Sequence, residues 1–240
     1  MVLNDSANPE IVKNKKAQQA AKKTMKELCE TIRPGMSEKE IETMAIRSLE
    51  KNGSNSWWYH GVGALVLLGD RSTVSVSGRE YYASEENILK ETDVVTIDLA
   101  PTIDGYWGDY ARTLFVEEGR VYMDNPVSAE FNQGVSAEIS LHKLLMETAT
   151  PDMTFQDIFE MINAEIDRLG FVNLDYRKNL GHTIEEHEWQ RLYIEEENNS
   201  VIGYIAKPFT FEPHIKAVGG KFGFKREDIY YFDGDRLVIL

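Results

Sequence analysis

The sequence predicts an α+β fold, a single domain in which two similar halves each run as two helices followed by strands. Three observations predict it. Stretches 37–53 and 154–170 carry helical apolar spacing behind a helix-start signal. Runs of β-branched residues, DVVTID at 93–98 foremost, read as buried strands. Third, IRPGMSEKEIETMAIRSLEKNG (32–53) aligns without a gap on ATPDMTFQDIFEMINAEIDRLG (149–170), at a constant offset of 117 residues. Pro34 falls on Pro151, Met36 on Met153, Ser37 on Thr154, Ile41 on Ile158, Met44 on Met161, Leu49 on Ile166 and Gly53 on Gly170. A period this long, present twice, is not a solenoid. It suggests half-repeats over roughly 10–118 and 128–240, packed about a pseudo-twofold axis within one domain spanning 1–240.

In order, residues 9–33 read as a helix with Asn8 as a cap and Pro9 near its first turn, ended by Pro34-Gly35. Ser37 and Glu40 stand at capping-box spacing before a second helix, whose Ile41, Met44, Ala45 and Leu49 share one face and which Gly53 stops. Residues 57–77 read as two strands joined by the turn GDRS, and 93–99 with 106–116 as a hairpin. In the second half, strands are expected at 207–217, 221–231 and 235–240.

Composition sets outer limits. With 240 residues, 42% hydrophobic and 28% charged, the chain is long enough for a substantial core. A net charge of −14 disfavours nucleic acid as a partner. One cysteine, Cys29, allows no internal disulfide and reads as packing in a reducing compartment. No apolar leader region opens the chain, and GVGALVLLG is too short to span a bilayer, so no membrane partner and a cytoplasmic location are expected.

The informative acids are those with apolar neighbours. Asp98 stands inside DVVTIDL, and Asp109 follows Gly108 in the next strand region. Glu212 sits in FTFEP, and Glu227 opens the last strands in REDIYYF. Arginines such as Arg112 and Arg226 can serve one buried acid, but four gathered on facing hairpins repel and take up protons. Divalent cations resolve that conflict. His182, behind Gly181 in NLGHTIEEHEW, completes an oxygen-rich set with one imidazole, which suits Mn, Fe or Co, with Zn also open.

The pattern Asp98, ten residues, Asp109, then Gly181-His182, FTFEP at 209–213 and REDIY at 226–230 resembles the methionine aminopeptidase, prolidase and creatinase superfamily. IRPGMSEKEIE resembles that family's first helical pair, so the likeness covers nearly the whole chain. The resemblance implies the pita-bread fold, a curved antiparallel sheet covered by helices, and a site for two divalent metal ions. By it, Asp98 chelates one metal, Asp109 and Glu227 bridge both, and His182 with Glu212 bind the other. It further implies a metal-bridging hydroxide that attacks the N-terminal peptide bond of a small peptide, with Glu212 handling the proton. A homodimer is a common outcome for such enzymes.

Two departures bear on the substrate. The family's peptidases carry a histidine about eighteen residues before the first metal aspartate; here Glu80 stands there, and the nearest upstream histidine is His60. A second family histidine, seven residues past the ligand histidine, has no counterpart at that spacing, and His187 comes only five residues on. His187 is either its shifted equivalent or part of a solvated acidic loop. His214 alternates onto the face of Glu212 and joins the candidate catalytic residues, whereas His142, mid-helix, reads as surface. Trp57, Trp58, Tyr59, Trp107 and Trp189 are candidate pocket linings. The leading expectation is a dinuclear-metal aminopeptidase or dipeptidase of possible Xaa-Pro type. The alternatives are a metal-using hydrolase of a non-peptide C–N bond and a non-catalytic binding module.

Overall fold

The computed structural model describes residues 9–240, so the expected cap Asn8 lies outside the described residues. Helix α1 (Pro9–Thr31) leads into α2 (Glu38–Lys51). Ser37 accepts from the Glu40 N–H while the Glu40 carboxylate accepts from the Ser37 N–H, so the expected capping box forms. Ile41, Ala45 and Leu49 are wholly buried on the face that meets the first sheet. In the second half α3 (Ala129–Thr148) precedes α4 (Phe155–Arg168), which Thr154 and Asp157 start with the same reciprocal box. Gly53 and Gly170, matched by the repeat, both take positive φ (100° and 79°) just past their helices, a conformation only glycine adopts without strain.

The strands are β1 (Ser56–Trp57), β2 (Ala64–Leu68), β3 (Asp93–Leu99), β4 (Pro101–Ile103), β5 (Tyr106–Trp107), β6 (Tyr110–Glu117) and β7 (Arg120–Tyr122) in the first half. The second half contributes β8 (Phe171–Asn173), β9 (Phe209–Phe211), β10 (His214–Ala217), β11 (Gly223–Lys225), β12 (Asp228–Asp233) and β13 (Arg236–Ile239). They form four antiparallel sheets, β2-β3-β6-β7, β1-β4-β5, β11-β10-β8 and β13-β12-β9. One apolar cluster joins α1 and α2 to the first of these, and another joins α3 and α4 to the second-half strands.

The halves meet along β6. The Glu227 N–H donates to the Ala111 carbonyl (2.9 Å) and the Lys225 N–H to Thr113 Oγ1 (2.8 Å). Arg112 donates to the Glu227 carbonyl (2.6 Å) and pairs with Asp228 (2.8 Å).

Four expectations need correction. Residues 57–77 do not form two strands: after β2 the chain enters a 3₁₀ turn, Gly69–Thr73. That turn is tied to the second half, with the Ser72 carbonyl facing the His214 ring (2.7 Å) and Ser72 Oγ accepting from the Gly223 N–H (2.9 Å). The hairpin of 93–116 carries a smaller one, β4-β5, inserted at its tip, so Asp109 precedes β6. The strands expected at 207–217 and 221–231 each break at an acid, at Glu212 before Pro213 and at Glu227, where the chain crosses between sheets. His142 is not surface: its ring lies between the Tyr230 hydroxyl (2.7 Å) and the Arg226 carbonyl (3.1 Å).

Candidate metal centre

Three of the four acids sit where regular pairing stops, which frees their side chains to converge. Asp98 alone is in a strand, opposite Ala111. Asp109 is delivered by the chain between β5 and β6, with the indole N–H of Trp58 donating to the preceding Gly108 carbonyl (3.0 Å). Glu212 is held by its N–H on the Leu180 carbonyl (2.8 Å), and Glu227 by the Ala111 and Arg112 bonds already described. Oxygens of Asp98, Glu212 and Glu227 lie within 4.8 Å of one another.

His182 is brought in by a close backbone approach. A Cβ on Gly181, whose φ is +143°, would stand 2.2 Å from the Thr210 carbonyl oxygen. With glycine there, the His182 N–H reaches Thr210 Oγ1 (3.0 Å). Nδ1 lies 3.0 Å from the Thr183 carbonyl, an acceptor, so Nδ1 carries the proton and donates. That leaves the Nε2 lone pair aimed at the acids, 3.5 Å from Asp109 Oδ2 and 4.0 Å from Glu212 Oε1. All five predicted ligand residues therefore converge.

Electrostatics follow from burial. Loss of water, then the Asp98 and Glu212 charges, push the Asp109 carboxyl well above its ordinary range. Burial and the Asp109, Glu212 and Asp98 charges do the same to Glu227. Burial also acts upward on Glu212, but Lys225 and His182 outweigh it and hold that carboxyl below the usual range. Burial and the Arg191 charge take His182 down to about 4, so it is neutral at pH 7.

Lys225 is the group the sequence reading missed. Its ammonium lies 2.6 Å from Asp98 Oδ2 and 2.9 Å from Glu212 Oε2. Burial alone would lower its pKa, but Asp98, Glu212 and Glu227 drive it well up, so it stays charged. The signal was available: two residues before Glu227, a lysine stands in the apolar strand GFK and must point somewhere polar.

Lys225 engages Asp98 and Glu212, yet two buried oxygens, Asp109 Oδ2 and Glu227 Oε2, have no hydrogen-bond partner among the described residues. Unpartnered buried carboxylate oxygens beside a neutral imidazole nitrogen form a donor set that fits divalent cations. Asp98, Asp109, His182, Glu212 and Glu227 are the residues able to hold them.

The centre lies in an open cavity of about 1050 Å³. Trp58 and Trp107, stacked at 4.5 Å, form one wall, and Arg191 lies over the Trp58 and Tyr193 rings, both at 5.3 Å. The candidate histidines are placed differently. His214 lines the cavity with Nε2 at the Ser72 carbonyl, and burial followed by the Lys225 charge takes it to about 4. His187 is on the exposed rim, stacked on Trp189 at 5.8 Å and apart from the carboxylates. Glu80 is exposed on the loop that carries Gly78. His60 fills space beside that loop, its ring 3.3 Å from where a Gly78 Cβ would stand, and its Nδ1 lies 3.0 Å from Glu188. Trp189 is exposed at the rim, and Trp57 packs against Gly63.

The chain is similar to known proteins along most of its length. Residues 13–233 match the model of metallopeptidase family M24. The chain is 27% identical over 175 residues to a methionine aminopeptidase of Aquifex aeolicus, covering 71% of this chain and 65% of that protein. It is 29% identical over 166 residues to methionine aminopeptidase 1 of Bacillus subtilis, covering 67% and 60%. Among solved structures, an X-Pro aminopeptidase of Thermotoga maritima superposes with a TM-score of 0.77 at 24% identity, over all of this chain and 62% of the other. A methionine aminopeptidase of Thermotoga maritima gives 0.74 at 20% identity, over all of this chain and 98% of the other. The chain thus spans under two thirds of the length of both curated relatives. The fold is the pita-bread fold.

Proposed function

The chain belongs to metallopeptidase family M24, and from that premise we propose that it is a metal-dependent aminopeptidase or dipeptidase that releases the N-terminal residue of a short peptide. The observation that carries the reading is the convergence of five ligand-type side chains around two buried, unpartnered carboxylate oxygens. Two divalent ions, of Mn, Co, Fe or Zn, are the proposed cofactors, which Asp98, Asp109, His182, Glu212 and Glu227 would hold. When bound, they supply Lewis-acid polarisation of a carbonyl and an activated water at neutral pH.

The chain's own groups supply the rest. Glu212, kept ionised by Lys225, faces the cavity. Its carboxylate takes the proton released as water forms its bond to the carbonyl carbon, and returns it to the leaving nitrogen as the C–N bond breaks. Trp58 and Trp107 shield that side of the centre from bulk water. His214 and His187 are the proposed substrate-facing histidines, one lining the cavity and one at its rim. An Xaa-Pro preference is supported by X-Pro aminopeptidase and prolidase structures among the similar folds. We read residues 1–240 as one duplicated catalytic domain, and the lone Cys29 supports a reducing, cytoplasmic setting.

Metal analysis of protein loaded in turn with Mn, Co and Zn, together with release of free amino acid from short peptides with and without proline, tests this. Two ions per chain, turnover of a peptide, and loss of both in Asp109→Ala are expected. No metal uptake overturns the reading. Metal uptake with no peptide turned over moves it to a non-peptide C–N bond, which the exposed Glu80 at the place of the family's histidine favours.

A further inference from the structure

We propose that Gln18, on α1, is a positioning residue that fixes Asp109, so that the first helix is a working part of the metal centre. This rests on the reading of Asp109 as a ligand. Asp109 lies between β5 and β6, outside any strand, so its peptide groups have no ladder partner. Gln18 provides one. Its Oε1 accepts from the Asp109 N–H and its Nε2 donates to the Asp109 carbonyl, both at 2.8 Å. The two bonds close a ring that a neighbouring strand would otherwise make. They fix the tilt of the residue and so the direction in which its carboxylate leaves the backbone.

The rest of the contact shows that the helix is seated there closely. One turn earlier, Asn14 Nδ2 donates to the Trp107 carbonyl (3.0 Å). A Cβ on Gly108 would stand 2.6 Å from the carbonyl carbon of Ala17, so helix backbone rests on the backbone of the β5–β6 connection with no side chain between. Gln18 is fully buried. Asp109 Oδ2 has no hydrogen bond among the described residues, so the clamped peptide is the hydrogen-bonded anchor nearest to it. Only a side-chain amide serves both peptide groups: glutamate has no donor for the carbonyl, and methionine keeps the length but offers neither group.

The test uses the full chain with Gln18→Met, Gln18→Glu and, as a stability control, Met25→Ala, two turns along the same helix in the apolar cluster. Co²⁺ affinity is measured by calorimetry, the visible Co²⁺ bands by absorption, and exchange of the Asp109 amide hydrogen on metal-free protein. Both Gln18 variants are expected to bind Co²⁺ about tenfold or more weakly with shifted bands, and Gln18→Met, which also loses the acceptor for the Asp109 N–H, to exchange that amide faster. Met25→Ala is expected to lower the Tm with affinity and bands unchanged. Gln18 variants that match wild type in affinity, bands and exchange overturn the proposal, as does a Met25→Ala effect on affinity of the same size. Wild-type protein that takes up no Co²⁺ refutes the metal reading instead. The amide exchange then decides the clamp alone, and unchanged exchange in Gln18→Met overturns it.

Discussion

Lys225 places a cation among the carboxylates proposed to hold metal. It neutralises Asp98 and Glu212 in the folded protein, at the same time as it competes with any ion for their oxygens. Lys225→Met is therefore expected to act in opposite directions on two measurements. Stability in chelator falls by about 3–5 kcal/mol, the cost of leaving a buried charge pair half broken, while affinity for Mn²⁺ rises. Urea unfolding in chelator and a Mn²⁺ titration check this, and a parallel fall in both contradicts it. His142 sets an acid limit at the same scale. Burial, ahead of all charges, takes its ring to about 3 from an ordinary 6.5. The unfolded chain binds this proton below about 6.5 and the folded chain only below about 3, so folding loses stability as pH falls through that window, by up to about 1.4 kcal/mol per pH unit. The raised carboxyls of Asp109 and Glu227 work in the other direction, since the folded state holds their protons better. The comparison is therefore between wild type and His142→Phe, whose stability relative to wild type is expected to rise as pH falls from 6.5 to 3, as read by urea unfolding at each pH.

Among the elements, Gly181 decides whether His182 and β9 can meet. Gly181→Ala forces a methyl group to within 2.2 Å of the Thr210 carbonyl oxygen and strains a +143° φ. Its expected cost is about 2 kcal/mol or more, with a fall in metal affinity as His182 moves; denaturant melts and a Co²⁺ titration measure both. The helices were legible because their signals are local: Ser37 with Glu40 starts α2, Thr154 starts α4, and apolar spacing marks the buried faces. Four of the five candidate ligands were legible as acids near apolar neighbours, and His182 through the Gly181-His182 pair of the family resemblance. What could not be read depended on contacts between distant segments. Ser72 turns away from a second strand because His214 and Gly223, over 140 residues on, take its polar groups. His142 is buried because Tyr230 and Arg226 arrive to satisfy both ring nitrogens. Lys225 and Gln18 act on the centre through partners 127 and 91 residues away in the chain.

Over the whole molecule, the centre is a joint between the halves, since Asp98 and Asp109 come from one and His182, Glu212 and Glu227 from the other. An ion that binds only the folded chain stabilises it by about 2.7 kcal/mol at a hundred times its dissociation constant. Adding Mn²⁺ is expected to raise the Tm and chelator to reverse the rise, as read by calorimetry; a Tm indifferent to Mn²⁺ contradicts the shared centre. Arg112, through Glu227 and Asp228, ties the halves without any ion. Between them lies an exposed connection at Asp124 and Asn125. Were the backbone severed there, each fragment would carry an incomplete ligand set, and neither could form the whole coordination sphere. Fragment association and ion binding would then be coupled, each favouring the other. The severed molecule would behave as an AND gate, with its output, a filled metal centre, requiring both peptides and the ion together.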